Sequence, residues 1–197
     1  MPRLSPESAS CSGVAAVRRT GMGTRQSATQ PCRCGVGGPG RGACGRAPRC
    51  QSDYQRKISG PMMDRMDLVV EVPPVTAADM ALPPPAAGTA EAAARVAQAR
   101  QIQLERAATA GESAAPLNAQ ASGERLEAIA NLDGPARALL SRAAEGAALT
   151  ARGWTRTLRL ARTIADLEGA ESVRRVHLAE ALIYRRVSAE GSSVLAG

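Results

Sequence analysis

Apolar residues recur at helical spacing through the second half of the chain and nowhere in its first quarter. Thr89 is suited to cap a helix from Ala90 to about Ala108, a stretch rich in Ala, Gln, Glu and Arg. Its apolar side chains are small, so the pattern leaves open whether it faces solvent or packs closely on a neighbour. After a loop at about 111–118, Ser122 opens a helix striped by Leu126, Ile129 and Ala130. Asp133 opens a second, with Pro135 in its first turn and Ala136, Leu139, Leu140 and Ala143 at helical spacing. Thr150 caps a third that runs to about Leu167, sets Trp154, Leu158, Ala161 and Ala165 on one face, and stops at Gly169. A last helix, from about Val173 to Val187, is expected to bury Val176, Leu178, Ala181 and Leu182. Four short helices joined by tight turns predict a small helical domain over about 120–187.

Upstream the pattern changes. Leu68, Val69, Val70 and Val72 form a short apolar run ended by Pro73 and Pro74, which makes 68–72 a strand candidate. Pro83, Pro84 and Pro85 make 82–88 a stiff extended linker. Residues 1–50 show neither alternating nor helical periodicity, and 1–30 is expected to be disordered. A wrong start or a frameshift in GC-rich DNA would produce the same Arg, Gly, Pro, Ser and Ala excess.

The formal net charge of +7 invites a nucleic-acid reading, but all of it lies in 1–50, where eight Arg face the single acid Glu7. The foldable remainder is balanced. With no Phe, and only Trp154, Tyr54 and Tyr184 as aromatics, single-strand binding by base stacking is poorly supported. No run approaches the roughly 20 apolar residues of a membrane span, and the N-terminus has no apolar signal core. A soluble cytoplasmic protein with no membrane partner is expected.

Candidate chemistry is sparse. The phosphate-binding pattern Gly-x-x-x-x-Gly-Lys-Ser/Thr is missing from the sequence, whose only lysine, Lys57, precedes Ile58. No apolar strand ends in the paired acids that would hold magnesium. The single histidine, His177, reads as a helix-start residue without an obvious cysteine or carboxylate partner, and Asp166, Glu168 and Glu171 read as the charged end of a helix. Arg152, Arg156 and Arg159 share one helix face, opposite Trp154, Leu158 and Ala161. That face either looks out at an anion or is simply solvated. Cys32, Cys34, Cys44 and Cys50 could hold a structural zinc, although gaps of one and five residues within the pairs depart from the usual spacing. The alternative is reduced thiols of a cytoplasmic protein, with Cys11 left over in either case.

The stretch Ile58-Ser59-Gly60-Pro61-Met62-Met63-Asp64-Arg65-Met66-Asp67-Leu68 resembles the segment that closes the AAA+ core in magnesium-chelatase-related ATPases of the ComM/YifB type. The likeness continues at Leu149-Thr150-Ala151-Arg152-Gly153-Trp154, at Leu158-Arg159-Leu160-Ala161-Arg162-Thr163-Ile164-Ala165-Asp166-Leu167 and at His177-Leu178-Ala179-Glu180-Ala181-Leu182, and spans about 31–187. The resemblance implies a mainly α chain: a helical AAA+ lid domain over 88–197, preceded by the truncated end of an α/β core over 31–87 and a disordered N-terminus over 1–30. It implies that Arg65 is an arginine finger reaching ATP on a neighbouring subunit, where a guanidinium near the γ-phosphate is worth roughly 10³ to 10⁵ in rate. The alternative for Arg65 is a salt bridge to Asp64 or Asp67. Arg152, with Arg156 beside it, matches the sensor-two position that touches the phosphates of its own subunit. Cys32, Cys34, Cys44 and Cys50 match a cysteine-bearing insertion, although Gln30 stands where the family has a phosphate-sensing asparagine. ATP and magnesium are therefore expected only in a homo-oligomer, a hexameric ring with intact subunits, and DNA enters as a partner by analogy. The expected function is that of a C-terminal ATPase fragment, inactive alone and linked to DNA processing. The competing expectation is a non-enzymatic helical interaction module with a basic N-terminal tail.

Overall fold

The computed structural model describes residues 16–20, 24–28, 44–46, 49–57, 65–70, 72, 75–83, 87–112, 117–146 and 149–185. They fall into two units, Met1–Met63 and Asp64–Gly197. The first contains strand β1 (Ala16–Thr20), strand β2 (Thr24–Ala28) and helix α1 (Arg49–Gln55). The strands pair antiparallel, from Ala16 opposite Ala28 to Thr20 opposite Thr24. This hairpin lies in the stretch expected to be disordered. Its strands carry no apolar alternation, so periodicity could not reveal them, but Gly21-Met22-Gly23 between them is a length and composition that hairpin connections use.

In the second unit every helix except α4 begins where a side chain takes up an otherwise orphaned amide. Helix α2 (Ala77–Met80) opens on a capping box, in which Thr76 Oγ1 accepts from the Asp79 amide at 3.2 Å and Asp79 Oδ2 accepts from the Thr76 amide at 2.8 Å. Helix α3 (Thr89–Thr109) starts one residue beyond Gly88, whose amide donates to Glu91 at 2.8 Å. A 3₁₀ turn (Asn118–Gln120) leads to α4 (Gly123–Ala130), which ends on Asn131 in the left-handed region at φ 42°. Helix α5 (Gly134–Glu145) has Asp133 accepting from the Ala136 amide at 2.7 Å and Pro135 in its first turn. Helix α6 (Ala151–Glu168) is capped by Thr150, which accepts from the Gly153 amide at 2.9 Å, and is closed by Gly169 at φ 74°. Helix α7 (Arg175–Ile183) is the last element among the described residues. These starts match the expected caps at Ser122, Asp133 and Thr150, although Ser122 makes no side-chain cap bond.

Helix α6 is the central element, packed against α3, the 3₁₀ turn, α4 and α7, while α5 packs on α7. The core interleaves Leu126, Leu139, Leu140, Leu158, Val173, Leu178 and Leu182 with alanines at 121, 130, 136, 143, 161, 165 and 181. So many alanines let helix backbones approach closely, and each leucine then fills a gap that no neighbour could reach. Leu132 and Val173 meet in a parallel bridge between the segments leading into α5 and α7. The chain is thus mainly α with a helical C-terminal domain.

Three expectations are corrected. Val176 is 56% exposed, because two residues along a helix, about 200° of rotation, set it opposite buried Leu178. The last helix begins at Arg175 because Val173 is drawn into the bridge with Leu132, and it ends at Ile183 with Tyr184 as its cap, short of the expected Val187. Residues 68–70 and 72 form no strand: no neighbouring strand lies beside them among the described residues, and Leu68, Val70 and Val72 are exposed. One backbone bond anchors the segment, from the Val69 amide to the Tyr184 carbonyl at 2.8 Å. The burial that sequence left open for α3 is partial. Ala99, Gln103 and Ala107 face α6, whereas its first turns, 89–98, are exposed.

Candidate functional site

Helix α6 carries arginines at 152, 156, 159 and 162, and the structure gives each a different environment. Arg152, in the first turn, is exposed. Arg156 Nη1 pairs with Asp67 Oδ1, the Arg156 side chain being 19% exposed and that of Asp67 65%. Arg159 Nε donates to the Ala121 carbonyl at 2.8 Å, so it serves the junction with α4. Arg162 is fully buried. The basic face read from spacing, Arg152, Arg156 and Arg159, therefore grades from exposed to partly covered, and Arg162 beyond it is in the core, because α3, the 3₁₀ turn and α4 cover the helix progressively toward its C-terminal half.

Arg65 is exposed and makes no ion pair or hydrogen bond among the described residues. Asp67, one of the two acids considered for it, is taken by Arg156; the other, Asp64, lies outside the described residues. The Asp67 pair and the Val69–Tyr184 bond tie the Arg65 segment to the helical domain at two points. The structure thus joins the Arg65 segment to the helix whose first turn carries Arg152.

A second cluster, absent from the sequence reading, lies at the heart of the domain. The Asp166 carboxylate is buried and pairs with Arg106 from α3 and Arg162 from α6. Arg162 Nε donates to Asp166 Oδ1 at 3.0 Å and Asn118 Nδ2 donates to Oδ2 at 2.7 Å. The remaining Arg162 donors reach carbonyls of the turn that follows α6, Glu171 at 2.9 Å and Ala170 at 2.5 Å, and of the last turn of α4, Ile129 at 3.4 Å. Burial pulls the Arg162 guanidinium below its ordinary pKa and the Asp166 charge opposes that pull. Asp166 is therefore an internal counter-ion, where spacing suggested the charged end of a helix. The i, i+4 separation of Arg162 and Asp166 was the available signal, and it cannot distinguish a surface pair from a buried one.

His177 does open a helix: its Nδ1 accepts from the Arg174 amide at 3.0 Å. It also has the carboxylate partner that sequence did not reveal, since Nε2 meets Glu168 at 2.5 Å. Hydrogen bonds from His177 and then Arg174 hold Glu168 below the usual carboxylate range. Of the proposed zinc ligands, Cys32 and Cys34 lie outside the described residues, while Cys44 and Cys50 are half-buried. Among the described residues no group of three or more His, Cys, Asp or Glu is arranged to hold a metal. No described helix is long and apolar enough to cross a membrane.

Two family descriptions match the chain: "Magnesium chelatase, subunit ChlI C-terminal" over residues 86–185 and "Magnesium chelatase, subunit ChlI" over 25–80. The chain is 34% identical over 133 residues to competence protein ComM of Haemophilus influenzae, covering 67% of this chain and 25% of that protein. It is 34% identical over 143 residues to YifB of Salmonella typhimurium, covering 68% and 25%. Against Rv2897c of Mycobacterium tuberculosis the identity is 32% over 162 residues, covering 82% and 31%. The chain thus spans a quarter to a third of the length of these relatives. A helical domain matched over its whole described core, continuing upstream through the Arg65 segment, makes this chain a member of the magnesium-chelatase-related family of ComM/YifB type.

Proposed function

We propose that the chain is the C-terminal part of an AAA+ ATPase, contributing arginines to ATP sites that other parts of a homo-oligomeric ring complete. In this reading Arg65 reaches the phosphates held by a neighbouring subunit, and Arg152 faces those of its own. The observation that carries it is the exposure of Arg65 on a segment tied through Asp67 to the helix that begins beside Arg152. A guanidinium whose phosphate partner belongs to another molecule should stand in solvent when that molecule is absent, since burying it unpaired would be costly.

The chain's own residues do not fit a complete ATP and magnesium site. The sequence lacks the phosphate-binding loop, and the described residues offer no cluster of metal-ligating side chains. Its contribution is positive charge near phosphate oxygens, which lowers the barrier where negative charge develops. Arg156, engaged by Asp67, is assigned to holding the Arg65 segment in place. A ring of six subunits and a role in DNA processing belong to the same proposal, the latter supported by similarity to a protein named for competence.

The test mixes the purified chain with a full-length relative that carries the phosphate-binding loop. ATP should drive co-assembly, and Arg65→Ala should lower turnover at neighbouring sites while leaving their nucleotide affinity unchanged. Equal turnover with wild-type chain and Arg65→Ala would remove Arg65 from the mechanism. Absence of ATP-dependent co-assembly would favour a helical interaction module.

A further inference from the structure

The segment 65–70 has no regular secondary structure, so nothing within it fixes where Arg65 stands. Its described ties to the helical domain are the Asp67–Arg156 pair and the Val69 amide bond to the Tyr184 carbonyl, which cap the same short stretch two residues apart. We propose that Asp67 is a positioning residue, whose pairing with Arg156 fixes the Arg65 segment onto α6 and so sets the placement of Arg65 relative to Arg152. This rests on the reading that Arg65 acts on a neighbour's ATP.

The pair is well suited to this role. Arg156 is mostly covered and lies one turn beyond Arg152 on a helix locked into the core by Leu158, Ala161 and Arg162. It therefore offers Asp67 a stationary cation. Asp67 is more exposed and sits on the less constrained partner, so the energy of the pair is spent on holding the segment and the helix is indifferent to its loss. A partly exposed pair of this kind changes a local equilibrium only a few-fold, enough to select one placement of Arg65 without making it permanent. A phosphate group arriving at the α6 N-terminus would meet Arg152 and compete with Asp67 for Arg156. Nucleotide in one site would in this way alter the finger presented to the next.

The experiment follows amide exchange of Val69 in the intact labelled chain, comparing Asp67→Ala, Arg156→Ala, the double variant, and the charge reversal Asp67→Arg with Arg156→Asp. Val69 should exchange about twofold to fivefold faster in either single variant. The double variant should be no faster than the singles, and the reversal should return the rate toward that of the unaltered chain. Leu158 and Ala161 amides should not change. A Val69 rate indifferent to both single variants, or effects that multiply in the double, would overturn the proposal. In assemblies with a full-length relative, Asp67→Ala should lower kcat and leave KM for ATP unchanged, with Arg65→Ala measured alongside. Reduced turnover for Arg65→Ala but not for Asp67→Ala overturns the positioning role and leaves the reading of Arg65 standing. If Arg65→Ala itself has no effect, that reading fails and the positioning role falls with it.

Discussion

Replacing Asp166 with alanine removes the counter-ion of a guanidinium that has no access to water. Arg162 is fully buried and Asp166 is 1% exposed, and around them Arg106, Asn118 and Gln103 all direct donors at the same carboxylate. After Asp166→Ala the Arg162 charge keeps its bonds to the carbonyls of Ile129, Ala170 and Glu171 but loses its neutralising partner. Breaking a buried pair in this way costs about 3 to 5 kcal/mol. For a domain of this size that corresponds to a fall in Tm of roughly 10 to 20 °C. Trp154, the only tryptophan, packs against the core of the helical domain, so urea unfolding followed by its fluorescence reports that unit. Removing both charges with Arg162→Met and Asp166→Leu should cost less than Asp166→Ala alone, because the ion then left without its partner is the part-exposed Arg106 and no longer the fully buried Arg162. Arg106→Ala should cost less too, since its side chain is 25% exposed. A loss under about 1 kcal/mol for Asp166→Ala would refute the argument that this carboxylate neutralises the core.

Other consequences are simpler to check. Leu140→Ala, at a fully buried position where α5 meets the core, should cost about 2 to 5 kcal/mol in the same unfolding assay, and a smaller loss would mean that the site collapses. Gly169 closes α6 at φ +74°, so Gly169→Ala should cost about 1 to 2 kcal/mol from backbone conformation alone. Gly134→Ala, with open space around its Cβ and no positive φ, is the control that should be nearly neutral. Glu168 has its pKa depressed below the ordinary 4.5 by His177 and Arg174, so its stabilising contribution is present above pH 4.5 and lost as pH falls through the lower folded value. Glu168→Gln should therefore flatten the fall of stability with acid below pH 4.5, and parallel curves for the two proteins would contradict this.

The sequence by itself determined the helices of the C-terminal domain, because a helix start and an apolar stripe are local events. Asp133 and Thr150 cap their own neighbours within three residues, Gly169 stops α6 through its own backbone, and Leu139 with Ala143 on α5, like Leu158 with Ala161 on α6, share a face by spacing alone. The family motif around Arg65 was legible for the same reason, being a contiguous string. Only tertiary structure decided the fates of residues whose environment comes from distant chain. Identical arginines at one helical spacing became an exposed group at 152, a tether at 156, a backbone ligand at 159 and a buried ion at 162, according to what packs over each turn of α6. Asp67 found Arg156 across 89 residues, and Asp166 found Arg106 across 60. The apolar run at 68–72 shows the converse, since a strand is defined by its partner and no local pattern can supply one.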